Sequence, residues 1–117
     1  MNIDVPFFPN TPDNTHCFQA AIRGMAKYFW PKEEYSWNEL DRITCKVSGL
    51  WTWPSAGLLW FKEKGAKVKI IEPFDYLNFI DKGGAYLTEE YGREVAEVQI
   101  NNSDIKQEQI LAKNLLE

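Results

Sequence analysis

Cys17 is the side chain in this sequence best placed to act as a nucleophile. A stretch with Pro6, Pro9 and Pro12 precedes it, and an amphipathic helix is predicted to begin at or next to it. A thiol in the first turn of a helix lies at the positive end of the helix dipole, which favours the thiolate. Because the thiolate is the reactive form of cysteine, the sequence predicts attack on a carbonyl group.

A thiol nucleophile ordinarily works with an imidazole, and the one histidine of this chain is His16. His16 is the direct neighbour of Cys17, and adjacent side chains on a helix project about 100° apart, so they do not face each other. We therefore expect His16 to be a solvated or capping residue. The sequence predicts a nucleophile without a usable base in this chain.

The other groups that could do chemistry have simpler interpretations. Cys45 follows a short predicted helix and is expected to be structural. Cys17, His16 and Cys45 lack the spacing of zinc ligands, and we expect neither a metal nor a cofactor. Four carboxylates on one predicted helix are expected to form a solvated face: Glu89, Glu90, Glu94 and Glu97.

An aromatic segment around Trp51 and Trp53, followed by Trp60, has two interpretations. The rings can pack between helices in the core. They can also form the wall of a substrate groove beside the thiol, since ligand grooves are largely apolar with a few polar groups. We treat Trp51, Trp53 and Trp60 as candidate groove residues.

The elements that must position Cys17 are predicted to be mainly helical. Apolar residues of the first helix recur at helical spacing: Phe18, Ala21, Ile22, Met25, Ala26 and Phe29. Further helices are predicted from a capping box at Ser36–Glu39, at Pro54, from Phe74 to Asp81, from Tyr86 to about Ile100, and after Ser103 or Asp104. Residues 67–71 alternate and are β-branched, which predicts one short strand with no evident partner.

Composition and charge exclude several classes of protein. The 117 residues suit a single domain, and 44% hydrophobic residues can supply its core. A formal charge of −4 argues against nucleic acid binding. No apolar run approaches the roughly 20 residues that span a bilayer. Two cysteines and no visible leader peptide favour a cytoplasmic protein with free thiols.

The N-terminal residues resemble one known family. Val5–Phe8, the polar loop that follows, and Cys17–Ala21 in a helix that ends at Lys27–Phe29 resemble the opening of papain-like cysteine peptidases of the bacteriocin-processing type. The resemblance is good over residues 5–30, loose over residues 31–82, and absent beyond.

That resemblance implies an α+β fold, mainly helical here, with residues 1–117 as its N-terminal half. It implies that Cys17 is the nucleophile and that an upstream amide, usually a glutamine, helps to form the oxyanion hole. Asn10 is the nearest candidate for this amide, and Asn14 is the alternative. The histidine and the aspartate or asparagine of the family come from the sheet half, and nothing here matches them.

The expected activity is therefore cleavage of a peptide or amide bond in a peptide or protein substrate, with this chain alone inactive. The expected partners are a second copy or a missing C-terminal half, and neither nucleic acid nor a membrane. A different class of function is the alternative, namely a non-catalytic module that binds a peptide or a protein through the aromatic groove.

Overall fold

Seven helices form the part of the protein that this computed structural model describes, residues 5–12 and 15–117. In chain order they are α1 (Cys17–Phe29), α2 (Trp37–Ile43), α3 (Pro54–Glu63), α4 (Tyr76–Lys82), α5 (Gly84–Tyr91), α6 (Arg93–Asn101) and α7 (Ile105–Leu116). Helix α7 packs against both α3 and α4. Within the described ranges, none of these helices combines the length and the apolar character needed to span a membrane.

The prediction of an α+β fold is wrong, because the segment predicted as a strand does not pair. Residues 67–71 are irregular chain, and the residues described contain no sheet. Neither the N–H nor the C=O groups of residues 67–73 bond to another described residue. A strand is stabilised by backbone hydrogen bonds to a neighbouring strand, so an alternating β-branched sequence alone does not form one. The papain-like fold, which contains a sheet, has no support in this all-helical architecture.

The predicted helix starts at α2, α3 and α7 are confirmed. Ser36 accepts a hydrogen bond from the N–H of Glu39, and the Glu39 side chain accepts one from the N–H of Ser36. Pro54 is in the first turn of α3. Asp104 caps α7 by accepting from the N–H of Gln107. Each of these signals acts within one helical turn, which explains why the sequence reveals them.

The single helix predicted from Tyr86 to about Ile100 is two helices. Gly92 separates α5 from α6 with a φ of 87°, a value that favours glycine and that a continuous helix cannot accommodate. The four carboxylates predicted to share one helix face are therefore divided between α5 and α6.

The first hydrophobic cluster packs α1, α2 and α3 around Ile22, Leu40 and Phe61. Gly57 on α3 allows close contact with α1, because a Cβ at this position would lie 2.4 Å from Cδ1 of Ile22. Aromatic side chains surround this cluster: Phe18, Trp30, Tyr35, Trp37 and Trp60. The side chains of Ile22 and Phe18 contact α3 at Gly57, while α2 packs against both α1 and α3, and these contacts position the helix that begins at Cys17.

The buried face of α1 differs in part from the predicted stripe. Ile22 and Ala26 are buried as predicted, but Ala21 and Phe29 are exposed. Gln19 is fully buried one turn before Ile22. The apolar pattern misses this residue because its amide N–H groups donate to the hydroxyls of Thr44 and Thr52 on other elements, which allows the polar side chain to be buried.

The second hydrophobic cluster packs the four C-terminal helices around five buried side chains: Phe79, Tyr86, Leu87, Ala96 and Ala112. Trp53, which precedes α3, stacks on Phe79 with ring centroids 5.1 Å apart. Trp53 thereby links the loop beside the first cluster to the core of the second.

Candidate functional site

Cys17 is the first residue of α1, as the sequence predicts, and its side chain is exposed. His16 is the N-cap residue, but its side chain makes no capping hydrogen bond. Among the described residues, nothing accepts a hydrogen bond from the backbone N–H groups of residues 17–19. An accessible thiol therefore lies beside open amide donors at the positive end of a helix, the kind of group that binds a negative oxygen.

His16 is held away from a role as base by partners at both ring nitrogens. Nδ1 lies 2.8 Å from Oγ1 of Thr15 and 3.0 Å from Oγ1 of Thr11. Nε2 lies 2.8 Å from Oδ1 of Asp41, close enough for an ion pair although the N–H is not aligned for a hydrogen bond. The expectation of a solvated or capping histidine is wrong, since the side chain is 14% exposed and ties the start of α1 to α2.

Of the two candidate oxyanion amides, Asn14 lies outside the described residues. Asn10 is well defined, because its Oδ1 accepts from the backbone N–H groups of Thr11 and His16, both at 2.8 Å. These donors fix the carbonyl end, so Nδ2 is the end that remains to donate. Asn10 and Cys17 line the same groove. The structure thus brings together two of the residues predicted from the sequence.

Two grooves meet at Cys17. The apolar groove, of about 550 Å³, separates the N-terminal segment from α1 and is lined mainly by Val5–Phe8 and by Ala20, Ala21 and Met25. The tryptophan groove, of about 510 Å³, separates the start of α1 from the loop before α3 and includes Trp51 and Thr52. Cys17 lines both grooves. The thiol is therefore accessible from either groove.

Gly24 explains why the N-terminal segment, residues 5–8, can form one wall of the apolar groove. A Cβ at this position would lie 2.4 Å from the backbone oxygen of Pro6. Only a glycine lets the segment approach α1 this closely without a shift of the backbone.

The three tryptophans predicted to line a groove have separate locations. Trp51 is 50% exposed and lines the tryptophan groove with Cys17. Trp53 packs on the second hydrophobic cluster, and its indole N–H donates to Oγ of Ser103 at 2.8 Å. Trp60 packs on the first cluster. Neither Trp53 nor Trp60 lines a groove that contains Cys17.

Gln19 positions the wall of the tryptophan groove, a role that the sequence pattern did not predict. Its Nε2 donates to Oγ1 of Thr44 at 2.9 Å and to Oγ1 of Thr52 at 3.1 Å. Thr44 ends α2, and Thr52 follows Trp51 in the groove wall. The buried amide therefore joins three elements close to the thiol. A polar residue in line with Ile22 on the first helix is the signal that could have identified it.

Cys45 has a different environment at the C-terminal end of α2. Its φ is 53°, and the N–H groups of Cys45 and Lys46 bond to the C=O groups of Arg42 and Asp41 at 3.1 and 2.9 Å. This is a Schellman motif with cysteine in the position that usually holds glycine. Burial and the neighbouring Glu108 carboxylate raise the pKa of the Cys45 thiol. Burial also raises the pKa of Glu108 to about 7.

In the described ranges, no group of three or more His, Cys, Asp or Glu side chains is arranged to hold a metal ion.

Comparisons with known proteins found no match: no protein-family model, no curated protein and no solved structure matches this chain. The similarity of residues 5–30 to papain-like peptidases therefore rests on the sequence motif alone. The function is accordingly inferred from the geometry around Cys17.

Proposed function

We propose that this chain is a cysteine-peptidase-like protein in which the Cys17 thiolate attacks the carbonyl carbon of a peptide or amide bond. The observation that carries the proposal is the exposed thiol in the first turn of α1, where two grooves meet beside open amide donors. A nucleophile and preorganised donors for an oxyanion are the two requirements of acyl transfer. The two free thiols fit a reducing compartment, so the proposal includes a cytoplasmic location.

In the proposed step, the sulfur forms a bond to the carbonyl carbon and the carbonyl oxygen becomes an oxyanion. The N–H groups of residues 17–19 and Nδ2 of Asn10 stabilise this charge. Collapse breaks the C–N bond, the amine leaves with the proton that the external acid–base group first took from the thiol, and water then hydrolyses the thioester. The proton acceptor comes from outside the described residues, because both nitrogens of His16 are engaged. The chain alone is therefore expected to accept an acyl group only from an activated donor, whose leaving group needs no proton, and not to turn over.

The experiment uses a Cys45→Ala background and a short apolar peptide activated as an aryl thioester. We expect one acyl group per chain, localised to Cys17 by mass spectrometry, to form faster than on free N-acetylcysteine. Added imidazole is then expected to accelerate hydrolysis of the acylated protein, because it supplies the missing base. The additional Cys17→Ala change is the control for hydrolysis by imidazole alone. Acylation of Cys17 no faster than that of N-acetylcysteine would contradict the proposal.

The occupied ring of His16 also favours a second candidate function, peptide binding without chemistry. In that case Trp51 and the apolar groove hold the ligand, and the thiol is dispensable. The unactivated peptide would then bind the Cys17→Ala variant as tightly as the unmodified chain, with no covalent product. Trp51→Ala would weaken binding in both backgrounds, since aromatic side chains contribute strongly to peptide contacts.

A further inference from the structure

The chain between α3 and α4 contains an edge segment, residues 66–72, whose polar backbone is open after the N–H of Ala66, which donates to the C=O of Phe61. From residue 67 to residue 73, neither the N–H nor the C=O groups have a hydrogen-bond partner in the described part of the chain. Exposure alternates along the segment with a period of two: Ala66, Val68 and Ile70 are half-buried, whereas Lys67, Lys69 and Ile71 are exposed. This alternation is typical of an extended chain that lies with one face on a protein. The segment therefore offers a row of backbone donors and acceptors to another extended chain.

The edge segment carries two exposed lysines, Lys67 and Lys69, and one exposed glutamate, Glu72, whose carboxylate accepts from the Tyr76 hydroxyl. A lysine groove of about 570 Å³ runs beside the segment, with Lys62 and Lys67 at its rim. Its apolar lining comes from the segment and the end of α7: Ala66, Val68, Ile70, Leu115 and Leu116. None of the described residues that line it is Asp or Glu. The charge of this surface is therefore complementary to carboxylates.

The positions of the lysines argue against a second copy of the chain as the occupant. A symmetric antiparallel pair of two copies that is centred on Lys69 places this residue opposite Lys69 of the other copy. A pair centred on Val68 places Lys67 of each copy opposite Lys69 of the other. Like charges directly opposite each other are destabilising. A pair centred on Ile70 extends to Pro73, which has no N–H to donate.

We propose that the edge segment binds, by strand addition, an extended peptide of another protein that carries carboxylates at alternating positions. Its backbone pairs with the open groups of residues 67–72, and its carboxylates lie opposite Lys67 and Lys69. Apolar side chains at the intervening positions face the lysine groove. The site shares no lining residue with the two grooves at Cys17 and does not depend on the proposed thiol chemistry.

The test measures fluorescence anisotropy of a labelled peptide with alternating Glu and Val residues. We expect saturable binding that weakens as salt is added, and slower amide hydrogen exchange confined to residues 67–72. A peptide with the same side chains but methylated at every backbone nitrogen is expected not to bind, because it has no backbone donors at either edge. The variant K67E/K69E is expected to bind at least about tenfold more weakly and to prefer the peptide with alternating Lys.

The matched control is K32E/K106E, which makes the same charge change at two exposed lysines elsewhere. It is expected to bind like the unmodified chain. Undiminished binding of the N-methylated peptide, or protection outside residues 67–72, would show that backbone pairing at this segment is not used. Absence of binding, or a concentration-dependent dimer protected at the same amides without peptide, would equally overturn the proposal.

Discussion

The two cysteines of this protein occupy opposite ends of helices and opposite environments. Cys17 begins α1, is exposed, and lies beside amide donors that have no acceptor among the described residues. Cys45 follows the end of α2, is half-buried, and lies close to the carboxylate of Glu108. Helix starts favour negative charge and helix ends disfavour it. The same side chain is thus placed for reaction in one region and for packing in the other.

This difference shows what a sequence pattern must contain before a cysteine can be assigned a role. The proline-rich lead-in identifies Cys17 as a helix start, and accessibility follows from its place at the junction of two grooves. The Schellman turn at Cys45 instead fixes a backbone geometry, and the thiol is incidental to it.

The largest expected effect is on thiol reactivity. We expect Cys17 in the Cys45→Ala variant to react with iodoacetamide about 100-fold faster at neutral pH than Cys45 does in the Cys17→Ala variant. Cys45 is slow because burial raises its pKa and limits access. The measurement is the rate of mass increase under native conditions, with the unfolded variants as the reference. Equal rates in the folded variants would remove the distinction between the two regions.

A smaller effect, on the pH dependence of stability, is expected from Glu108, whose carboxylate lies near Cys45. Burial raises the pKa of Glu108 to about 7, so the folded protein retains this proton over a pH range in which the unfolded chain has released it. The free energy of unfolding should therefore decrease by about 1–2 kcal/mol as the pH rises from about 4.5 to about 7. Above that pH it should level off.

The measurement is urea unfolding across this pH range for the unmodified chain and for Glu108→Gln. The variant is expected to lack this component of the pH dependence and to label faster at Cys45, because the like charge is gone. A pH profile unchanged by the substitution would show that Glu108 ionises as readily in the folded state as in the unfolded state.

The smallest expected effect is on the stability difference between a glycine and an alanine variant, which should have opposite signs at positions 45 and 17. Cys45→Gly should be more stable than Cys45→Ala by about 1 kcal/mol, because a φ of 53° strains every residue with a Cβ. At position 17, alanine should be more stable than glycine by up to about 1 kcal/mol, since this residue is helical. Chemical denaturation of the four variants measures both differences. The same order at both positions would contradict the assigned backbone geometries.

Local signals could be predicted from the sequence, and contacts between distant segments could not. The capping box at Ser36 and the cap at Asp104 each depend on residues within one turn. Residues 67–71 have the composition of a strand. A strand forms only when a second segment hydrogen-bonds to it, and the sequence of one segment does not reveal whether such a partner exists.

The candidate site divides in the same way. The start of α1 at Cys17 follows from its flanking residues, whereas the pairing of His16 with Asp41 joins positions 25 residues apart and has no signature in the sequence. The separation of Trp51 from Trp60 likewise depends on which ring finds a neighbouring helix, because their composition and spacing are compatible with either location.

The contact of Gly24 with Pro6 has a consequence for the width of the apolar groove. One side of the apolar groove at Cys17 is built from chain that precedes α1, and the described residues 5–12 of this chain form no helix. Trimming that stretch would turn a two-sided slot into an open face while the packed helices stay as they are. The segment around Pro6 thus sets the width of the apolar groove, and its removal would widen the access to Cys17.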